Sequence, residues 1–272
     1  MLNIFVSIAV AIVVIKLLLL WFEPQMAFFP VRGVQQTPAA LSLSFEDLRI
    51  QTQDGETLHG WWLEHPAPRA QVIFWHGNGG NLSMWLDLLA DLRRRGFSVL
   101  AVDYRGYGIS TGTPSERGIY LDADATVREF ERRFRRRTVP TIYWGRSIGA
   151  SVAASSTTAQ RPDALILDSP MADVRSIFRT NPVMWTLSLL TSYRFPTTRF
   201  LQRYDGPLLV IHGDRDTIIP FASGQQVFAS APSRQKTFVT MRGADHNDLD
   251  VVDARAYWRA VDGFIAKIDT PR

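Results

Sequence analysis

The segment Thr141-Ile-Tyr-Trp-Gly-Arg-Ser-Ile-Gly149 joins a β-branched and aromatic run, typical of a strand, to a small-residue stretch at 150–158, typical of a helix. Its Gly-x-Ser-x-Gly pattern is typical of a sharp turn that exposes the central serine. The glycines fit, because such a turn leaves no room for side chains beside the serine. Ser147 would lie over the sheet end, with the Ile148 N–H free to donate to an oxyanion. The pattern predicts a serine nucleophile; a plain turn with an idle serine is the alternative.

A serine nucleophile needs a base and an acid that orients the base. Among the five histidines, His246 in Gly243-Ala-Asp-His-Asn-Asp248 follows a predicted strand and precedes the last helix, so we predict it as the base. Asp214 and Asp216 both follow another strand and compete for the role of the acid. Asp216 is favoured, because the chain has left the strand there and can turn toward His246. Asp214 is expected to hydrogen-bond its own turn.

The other four histidines are interpreted as structural. His76 and His212 each follow a strand and precede a glycine, which is typical of residues that pack a turn. His59 and His65 belong to an N-terminal hairpin and are expected to be at the surface or structural. None of the four is a candidate base.

The glycine-rich loop His76-Gly-Asn-Gly-Gly-Asn81 is predicted to complete an oxyanion hole. Its glycines let backbone N–H groups approach a ligand at close range. We assign the second donor to the Asn78 N–H, with Gly79 as the near alternative. A glycine-rich loop can also bind phosphate, but no Gly-Lys-Ser or Gly-Lys-Thr follows this one. The predicted chemistry needs no cofactor and no metal.

Strand-like and helix-like stretches alternate along most of the chain. Asp54-Gly55 is a hairpin signal between two antiparallel strands in 44–64. The later strands are nearly continuous apolar runs, as expected when helices cover both faces of a parallel sheet. We predict these strands at Gln71–Trp75, Ser98–Asp103, Thr141–Trp144, Ala164–Leu167, Leu208–His212 and Lys236–Met241, and helices at about 82–95, 115–135, 148–160, 221–230 and 250–267.

One long connection interrupts this alternation. Residues 170–206 contain no predicted strand and include the apolar run Pro182-Val-Met-Trp-Thr-Leu-Ser-Leu-Leu190. A connection of that length inside a compact domain is usually functional. We interpret it as a small helical cap over the site; an extra packing helix is an equally compatible interpretation.

The N-terminus is predicted to be a membrane segment. Leu2 to Phe22 is apolar almost throughout, with Lys16 as its only charge. A helix of this length spans roughly 32 Å, enough for a hydrocarbon core of about 30 Å. A cleaved signal peptide is the alternative, but a basic n-region and a clear A-x-A site are absent. We therefore predict an N-terminal transmembrane helix and its exit at 1–27, a hydrolase-type domain at 28–272, and a single-pass membrane location with no preferred side.

The composition excludes several classes of protein. With 272 residues, 46% hydrophobic and 21% charged, the chain is neither wholly disordered nor a fibrous rod. It contains no cysteine, which excludes disulfides, thiolate metal sites and a cysteine nucleophile. The net charge of +4 is concentrated in an Arg-rich segment, 128–137, which ends a predicted helix. Solvent or anionic lipid headgroups are the expected neighbours of this segment. Nucleic acid is disfavoured, because no recognised binding module accompanies the charge.

From about Phe45 to Ile268 the chain resembles the α/β-hydrolase superfamily. The segments that carry this resemblance are HGNGGN at 76–81, Asp103-Tyr-Arg-Gly-Tyr-Gly-Ile-Ser110, GRSIG at 145–149 and HGDRDTIIP at 212–220. Together with Phe28-Phe-Pro30 after the apolar segment, they are similar to membrane-anchored YfhR-like serine hydrolases, relatives of depalmitoylase-like α/β-hydrolase-domain proteins. Asp245 is a departure, since relatives often have glycine before the histidine. It would either hydrogen-bond locally or raise the pKa of His246.

The resemblance implies an α/β-hydrolase fold with a mostly parallel eight-stranded sheet and a Ser147–Asp216–His246 triad. It also implies ester or thioester hydrolysis through an acyl-enzyme, without a cofactor. The predicted anchor and the apolar run at 183–190 favour a lipid-like acyl substrate over a small soluble ester. The alternatives are a serine peptidase and a catalytically inactive hydrolase fold that binds at the membrane.

Overall fold

The structure is a computed structural model that describes residues 6–7, 10, 14, 21, 23–25, 27–179 and 181–268. Most of the predicted membrane segment, 2–22, therefore lies outside the described residues. Within the described part of the chain, no helix combines the length and the apolar character needed to cross a bilayer.

An eight-stranded sheet forms the centre of the fold. Its strand order is β10-β9-β8-β7-β4-β6-β3-β2, and β1 and β5 pair separately in a two-stranded parallel sheet. In the large sheet β3 runs antiparallel to both neighbours and the other pairs are parallel, which confirms the predicted architecture. The strands are β1 (Phe29–Pro30), β2 (Glu46–Gln51), β3 (Thr57–Leu63), β4 (Ala70–Trp75), β5 (Gly79–Gly80), β6 (Phe97–Val102), β7 (Thr141–Arg146), β8 (Ala164–Asp168), β9 (Leu208–Gly213) and β10 (Lys236–Met241).

Helices connect the strands and cover the sheet. Those whose bounds fall within 27–268 are α1 (Leu86–Arg94), α2 (Glu116–Arg133), α3 (Ile148–Ser156), α4 (Val174–Ile177), α5 (Pro182–Ser188), α6 (Thr197–Leu201), α7 (Phe221–Ser230), α8 (Leu249–Val252) and α9 (Ala254–Ile265), with 3₁₀ turns at Pro38–Leu41 and Leu82–Trp85. The segment interpreted as a cap, 170–206 (the cap segment), contains α4, α5 and α6. Within it, α6 packs against α3 and α7.

Both faces of the sheet are buried, which explains the continuous apolar strands. In β4, Ile73 and Trp75 join one hydrophobic core with α2, α3 and α7, whereas Val72 and Phe74 join a second core with α1 and α9. Successive strand residues point to opposite faces, so a strand covered on both sides has no polar face to show in its sequence.

Two local features differ from the sequence prediction. The predicted helix at 82–95 begins as a 3₁₀ turn, because Asn81 accepts from the Ser83 N–H and the Asp103 carboxylate accepts from the Leu82 N–H, 2.9 Å away. The sequence of 24–38 predicts an irregular tether after the apolar segment. Instead, β1 pairs with β5 inside the glycine-rich loop, which fixes the exit of the N-terminal segment beside that loop.

The Arg-rich segment is largely neutralised by neighbouring acids. Arg132 pairs with Glu129 at 2.8 Å, and Arg133 pairs with Glu46 at 2.5 Å. The other two paired arginines are Arg135, which contacts Asp163, and Arg136, which contacts Glu64. The contact of the Arg-rich segment with lipid headgroups stays a prediction.

Candidate active site

Ser147 lies in a strained turn between β7 and α3. Its backbone has φ 58° and ψ −120°, a left-handed conformation that costs a non-glycine residue of order 1–3 kcal/mol. Its N–H donates to the Asp168 carbonyl at the end of β8, 2.8 Å away. A Cβ on Gly145 would overlap the Gly149 carbonyl, and one on Gly149 would overlap the Trp75 carbonyl. Both flanking glycines are therefore required by close backbone approaches.

Gly149→Ala is expected to destabilise the protein by about 2–4 kcal/mol, because the new methyl group meets backbone that cannot move aside. The matched control is Gly263→Ala on the exposed side of α9, where no heavy atom lies within 4 Å of the added carbon. That control should gain about 0.5–1 kcal/mol from helix propensity. Urea unfolding followed by circular dichroism measures both. Equal stabilities for the two variants would contradict the steric account of the turn.

The three residues of the predicted triad are in direct contact. His246 Nε2 lies 2.9 Å from Ser147 Oγ, and His246 Nδ1 lies 2.8 Å from Asp216 Oδ2. The Asp216 side chain is fully buried and that of His246 is 6% exposed. Because a carboxylate only accepts, Nδ1 carries the proton and Nε2 is left to accept from the serine hydroxyl. This arrangement can withdraw a proton from Ser147.

Asp216 is held as a carboxylate by its surroundings. Burial alone would raise its pKa, but hydrogen bonding from His212 and His246 outweighs burial and holds the pKa well below its ordinary value. Asp216 Oδ1 also accepts from the N–H groups of Ile218 and Ile219, at 3.0 and 2.7 Å. A carboxylate with so many donors stays ionised and fixed in one orientation.

His212 packs against this acid, a contact that the sequence did not predict. Its Nε2 lies 3.0 Å from the Ile219 carbonyl oxygen and 3.2 Å from Asp216 Oδ2. Two acceptors at one nitrogen require a proton there, so His212 is the Nε2–H tautomer. His212 lies at the end of β9, four residues before Asp216. This spacing is the sequence signal that could have indicated the contact.

The two other aspartates near the site connect neighbouring loops. Asp214 is exposed and, in place of the predicted bond within its own turn, accepts from the Gly243 N–H, 2.7 Å away, in the loop after β10. Asp245 Oδ1 accepts from the N–H groups of Thr217 and His246, both at 2.7 Å. These backbone hydrogen bonds lower the pKa of Asp245. Asp245 therefore makes a local hydrogen bond to His246 and ties the Asp216 loop to the His246 loop.

The glycine-rich loop passes beside Ser147. A Cβ on Gly77 would lie 3.7 Å from the Ser147 Cβ. Asn78 is fixed through its side chain, which donates to the Ala27 carbonyl at 2.6 Å and accepts from the Tyr107 hydroxyl at 3.0 Å. The Ile148 N–H begins α3, among the N–H groups that have no partner within a helix. Both predicted oxyanion donors thus belong to segments that adjoin Ser147.

A buried histidine–aspartate cluster supports the same loop. Asp103 lies between His76, 3.4 Å away, and His59, 3.7 Å away, and His59 also contacts Asp47 at 2.6 Å. His59 is almost fully buried, so it is structural and not a surface residue. The partners come from separate strands and loops, which is why no local pattern indicated the cluster.

A second buried network lies under the strained turn. Arg146 donates to Asp250 at 2.9 Å, and Asp168 accepts from Trp144 at 2.9 Å and Tyr257 at 2.6 Å. The network ties the residue before Ser147 to α8 and α9. The sequence did not predict this network, because the residues next to a charged side chain in an apolar strand do not indicate which distant residue it pairs with.

Two of the cavities formed by the described residues lie away from the triad, and no cluster in the same ranges is suited to a metal ion. One cavity, of about 420 Å³, lies between the start of α2 and Ser192–Tyr193, and the other, of about 330 Å³, lies beside Trp62. Neither is lined by the triad residues. No group of three or more His, Asp or Glu residues in the described ranges is placed to hold a metal.

Comparison with known proteins gives consistent matches across most of the chain. Residues 66–205 match the family described as serine aminopeptidase, S33. An uncharacterized protein of Mycobacterium tuberculosis is 30% identical over 254 residues, covering 92% of this chain and 90% of that protein. An α/β hydrolase domain-containing protein of Arabidopsis thaliana is 27% identical, covering 92% and 89% of the two chains. An uncharacterized membrane protein of Saccharomyces cerevisiae is also 27% identical, covering 86% and 84%.

A solved structure shares the fold. An esterase of Pyrococcus furiosus superposes with a TM-score of 0.75 at 22% identity, covering 89% of this chain and 98% of that one. At this identity the match shows only that the two chains share an arrangement of strands and helices. The assignment to a family rests on the sequence matches described above. The chain therefore belongs to the α/β-hydrolase superfamily and, within it, to the family described as serine aminopeptidase, S33.

Proposed function

We propose that the chain is a serine hydrolase that cleaves an acyl ester or thioester with Ser147, His246 and Asp216. The continuous series of contacts carries this proposal: Ser147 Oγ to His246 Nε2 at 2.9 Å and His246 Nδ1 to Asp216 Oδ2 at 2.8 Å. Nucleophile, base and orienting acid are thus within hydrogen-bonding distance in one protected site. Membership of a hydrolase superfamily agrees with the proposal.

The reaction would proceed by acyl transfer to the serine. His246 Nε2 takes the hydroxyl proton while Ser147 Oγ attacks the acyl carbon, and Asp216 stabilises the resulting imidazolium. When the tetrahedral intermediate collapses, His246 returns the proton to the leaving alcohol or thiol. Water then attacks the acyl-enzyme, with His246 as the base again, and releases the acid and free Ser147.

The negative charge of the intermediate would be held by two backbone donors. The Ile148 N–H has the positive end of the α3 dipole behind it. The Asn78 N–H is the proposed second donor, and the Tyr107 hydroxyl supports it by donating to the Asn78 carbonyl at 2.8 Å. Such preorganised donors are commonly the largest single contribution to this kind of catalysis.

The direct test is labelling with a fluorophosphonate, which reacts with an activated serine. We expect the tag on the peptide that contains Ser147, identified by mass spectrometry. An unlabelled protein would instead favour the alternative of an inactive hydrolase fold that binds at the membrane. Ser42, an exposed residue at the end of the 3₁₀ turn Pro38–Leu41 whose φ of 56° is also positive, serves as an internal comparison and should stay unlabelled.

The proposed substrate is lipid-like, and the proposed location is a membrane. The apolar segment 2–22 supports an anchor, and the similar yeast protein is named a membrane protein. The cap segment adds exposed apolar side chains, among them Val183 and Trp185. An enzyme held at a bilayer meets acyl esters and thioesters of lipids and lipidated proteins at high local concentration.

A preference for long acyl chains is the expected result of this substrate class. Burial of each additional methylene contributes about 0.8 kcal/mol, so burial of only about two of the extra methylenes of a p-nitrophenyl octanoate would raise its kcat/KM roughly tenfold over that of the acetate. Hydrolysis rates at substrate concentrations below micelle formation measure the ratio. A steady preference for acetate would contradict the lipid-like substrate while leaving the serine mechanism intact.

Peptide hydrolysis is the second candidate, because the matched family carries the description serine aminopeptidase. The same contacts among Ser147, His246 and Asp216 could cleave an amide. Paired assays with an aminoacyl p-nitroanilide and an aminoacyl p-nitrophenyl ester separate the two functions. We expect turnover of the ester with negligible release of the anilide; comparable rates on both would favour the peptidase.

A further inference from the structure

The cap segment exposes a dense group of large apolar side chains. They lie in α5 and immediately after it, and between 40% and 68% of each is exposed: Val183, Met184, Trp185, Leu189 and Leu190. All residues at 181–186 are exposed, so the described protein buries no face of this part of α5. Soluble surfaces rarely carry such contiguous apolar groups, which usually mark a contact with a membrane or a partner.

A helix as short as α5 also requires an external contact to persist. It has seven residues, well below the length at which isolated helices are stable in water. Its N-terminal turn is supported by Asn181, whose side chain accepts from the Met184 N–H at 3.1 Å. Within the described residues α4 contacts this helix, but its large apolar side chains at 183–185 stay exposed.

The end of the N-terminal segment is bound to the residues that follow α5. Glu23, one residue after the predicted membrane span, accepts from the Ser192 N–H at 2.7 Å and from the Ser192 hydroxyl at 2.5 Å. It also accepts from the Thr191 hydroxyl. Phe28 packs on Tyr193 with ring centroids 5.3 Å apart. Thr191, which contacts Glu23, directly follows Leu190 in the chain. If the N-terminal segment is anchored in a bilayer, α5 is consequently held close to the bilayer surface.

The distribution of charge around α5 suits a lipid interface. Residues 180–193 contain no charged side chain, and this run is bounded by Arg179 and Arg194. Arginines beside an apolar helix favour the headgroup region, and tryptophan partitions to the same depth. By contrast, the Arg-rich segment at 128–137 has four of its arginines paired with acids, as described above.

We propose that α5 together with Leu189 and Leu190 is a membrane-contact surface that lies in the interface of the bilayer entered by the N-terminal segment. The surface would hold the cap of the proposed hydrolase against the lipid, beside its source of acyl substrate. The inference rests on the membrane location given in the proposed function, but it does not depend on the catalytic chemistry.

The absence of cysteine from the chain allows a specific test. Val183→Cys and Thr237→Cys each provide a single attachment point for a nitroxide, and both positions are exposed. Thr237 lies on the edge strand β10 and is the matched control. The full-length labelled proteins are reconstituted in vesicles of phosphatidylcholine and phosphatidylglycerol. Paramagnetic resonance then compares collisions of each nitroxide with oxygen, which concentrates in lipid, and with a water-soluble nickel complex.

We expect the nitroxide at 183 to favour oxygen over nickel by at least tenfold relative to the nitroxide at 237. Equal accessibility of the two positions to nickel would overturn the proposal. Spin–spin broadening at 183 that disappears on dilution with unlabelled protein would also overturn it, in favour of a second copy of the chain. Labelling of Ser147 by a fluorophosphonate in the same vesicles reports on the proposed hydrolase independently of either outcome.

Discussion

Ser147→Ala is expected to reduce kcat/KM for a p-nitrophenyl ester by roughly 10⁴-fold or more, with the fold retained. The substitution removes the oxygen that lies 2.9 Å from His246 Nε2, so neither attack on the acyl carbon nor an acyl-enzyme is possible. Alanine keeps the Cβ of serine, and the strained backbone at φ 58° is unchanged. Loss of activity would therefore report on chemistry and not on unfolding, which circular dichroism checks directly.

Two further serine variants make this result specific. Ser155→Ala, in the helix α3 that follows Ser147, removes a hydroxyl that donates to the Val152 carbonyl at 2.8 Å, and it should keep wild-type activity. Ser147→Gly should be as inactive as Ser147→Ala but more stable by about 1 kcal/mol or more, since glycine accepts a positive φ without strain. Substantial ester hydrolysis by Ser147→Ala would exclude Ser147 as the nucleophile.

The sequence predicted the features that are encoded locally. The turn around Ser147 is specified within five residues, because its positive φ and its two close backbone approaches demand glycine at 145 and 149. The parallel strands were also predictable from the sequence, since burial on both faces produces continuous apolar runs. In both cases the physical cause and the sequence signal lie in the same short segment.

Contacts between distant segments could not be predicted in this way. Asp103 meets His76 and His59 only because β3, β4 and β6 are neighbours in the sheet. The pairing of β1 with Gly79–Gly80 likewise depends on where the N-terminal segment leaves the domain. A single sequence does not indicate which distant residue each of these residues will contact. From the sequence, His59 could therefore only be described as a surface or structural residue.

The choice between Asp214 and Asp216 also depended on such contacts. From the sequence both aspartates follow the same strand. In the structure only Asp216 reaches His246 Nδ1, at 2.8 Å, whereas Asp214 accepts from the Gly243 N–H. The preference for Asp216 as the orienting acid is thus supported by position, and its role in the reaction is open to a direct measurement.

Asp216→Asn is expected to lower kcat by about 10³- to 10⁴-fold. The amide oxygen or nitrogen replaces a carboxylate that fixes Nδ1–H on His246 and stabilises the imidazolium. An amide nitrogen facing Nδ1 would favour the opposite tautomer, in which Nε2 carries the proton and cannot accept from Ser147. Asp214→Asn is the matched control and should retain activity within about threefold, because Asp214 accepts from the Gly243 N–H and does not contact His246 in the structure. Steady-state hydrolysis of a p-nitrophenyl ester measures both variants.

The same pair of variants gives a second measurement in acid. The pKa of Asp216 in the folded protein is below its unfolded value, so its ionisation contributes stability that is present above about pH 4 and is lost as the pH falls further. When the pH falls from 5 into the acid range, Asp216→Asn should consequently lose less of its free energy of unfolding than the wild type does. Urea unfolding at each pH measures this loss. If Asp214→Asn rather than Asp216→Asn abolished hydrolysis, the orienting acid would be Asp214, and the 2.8 Å contact with His246 would be structural only.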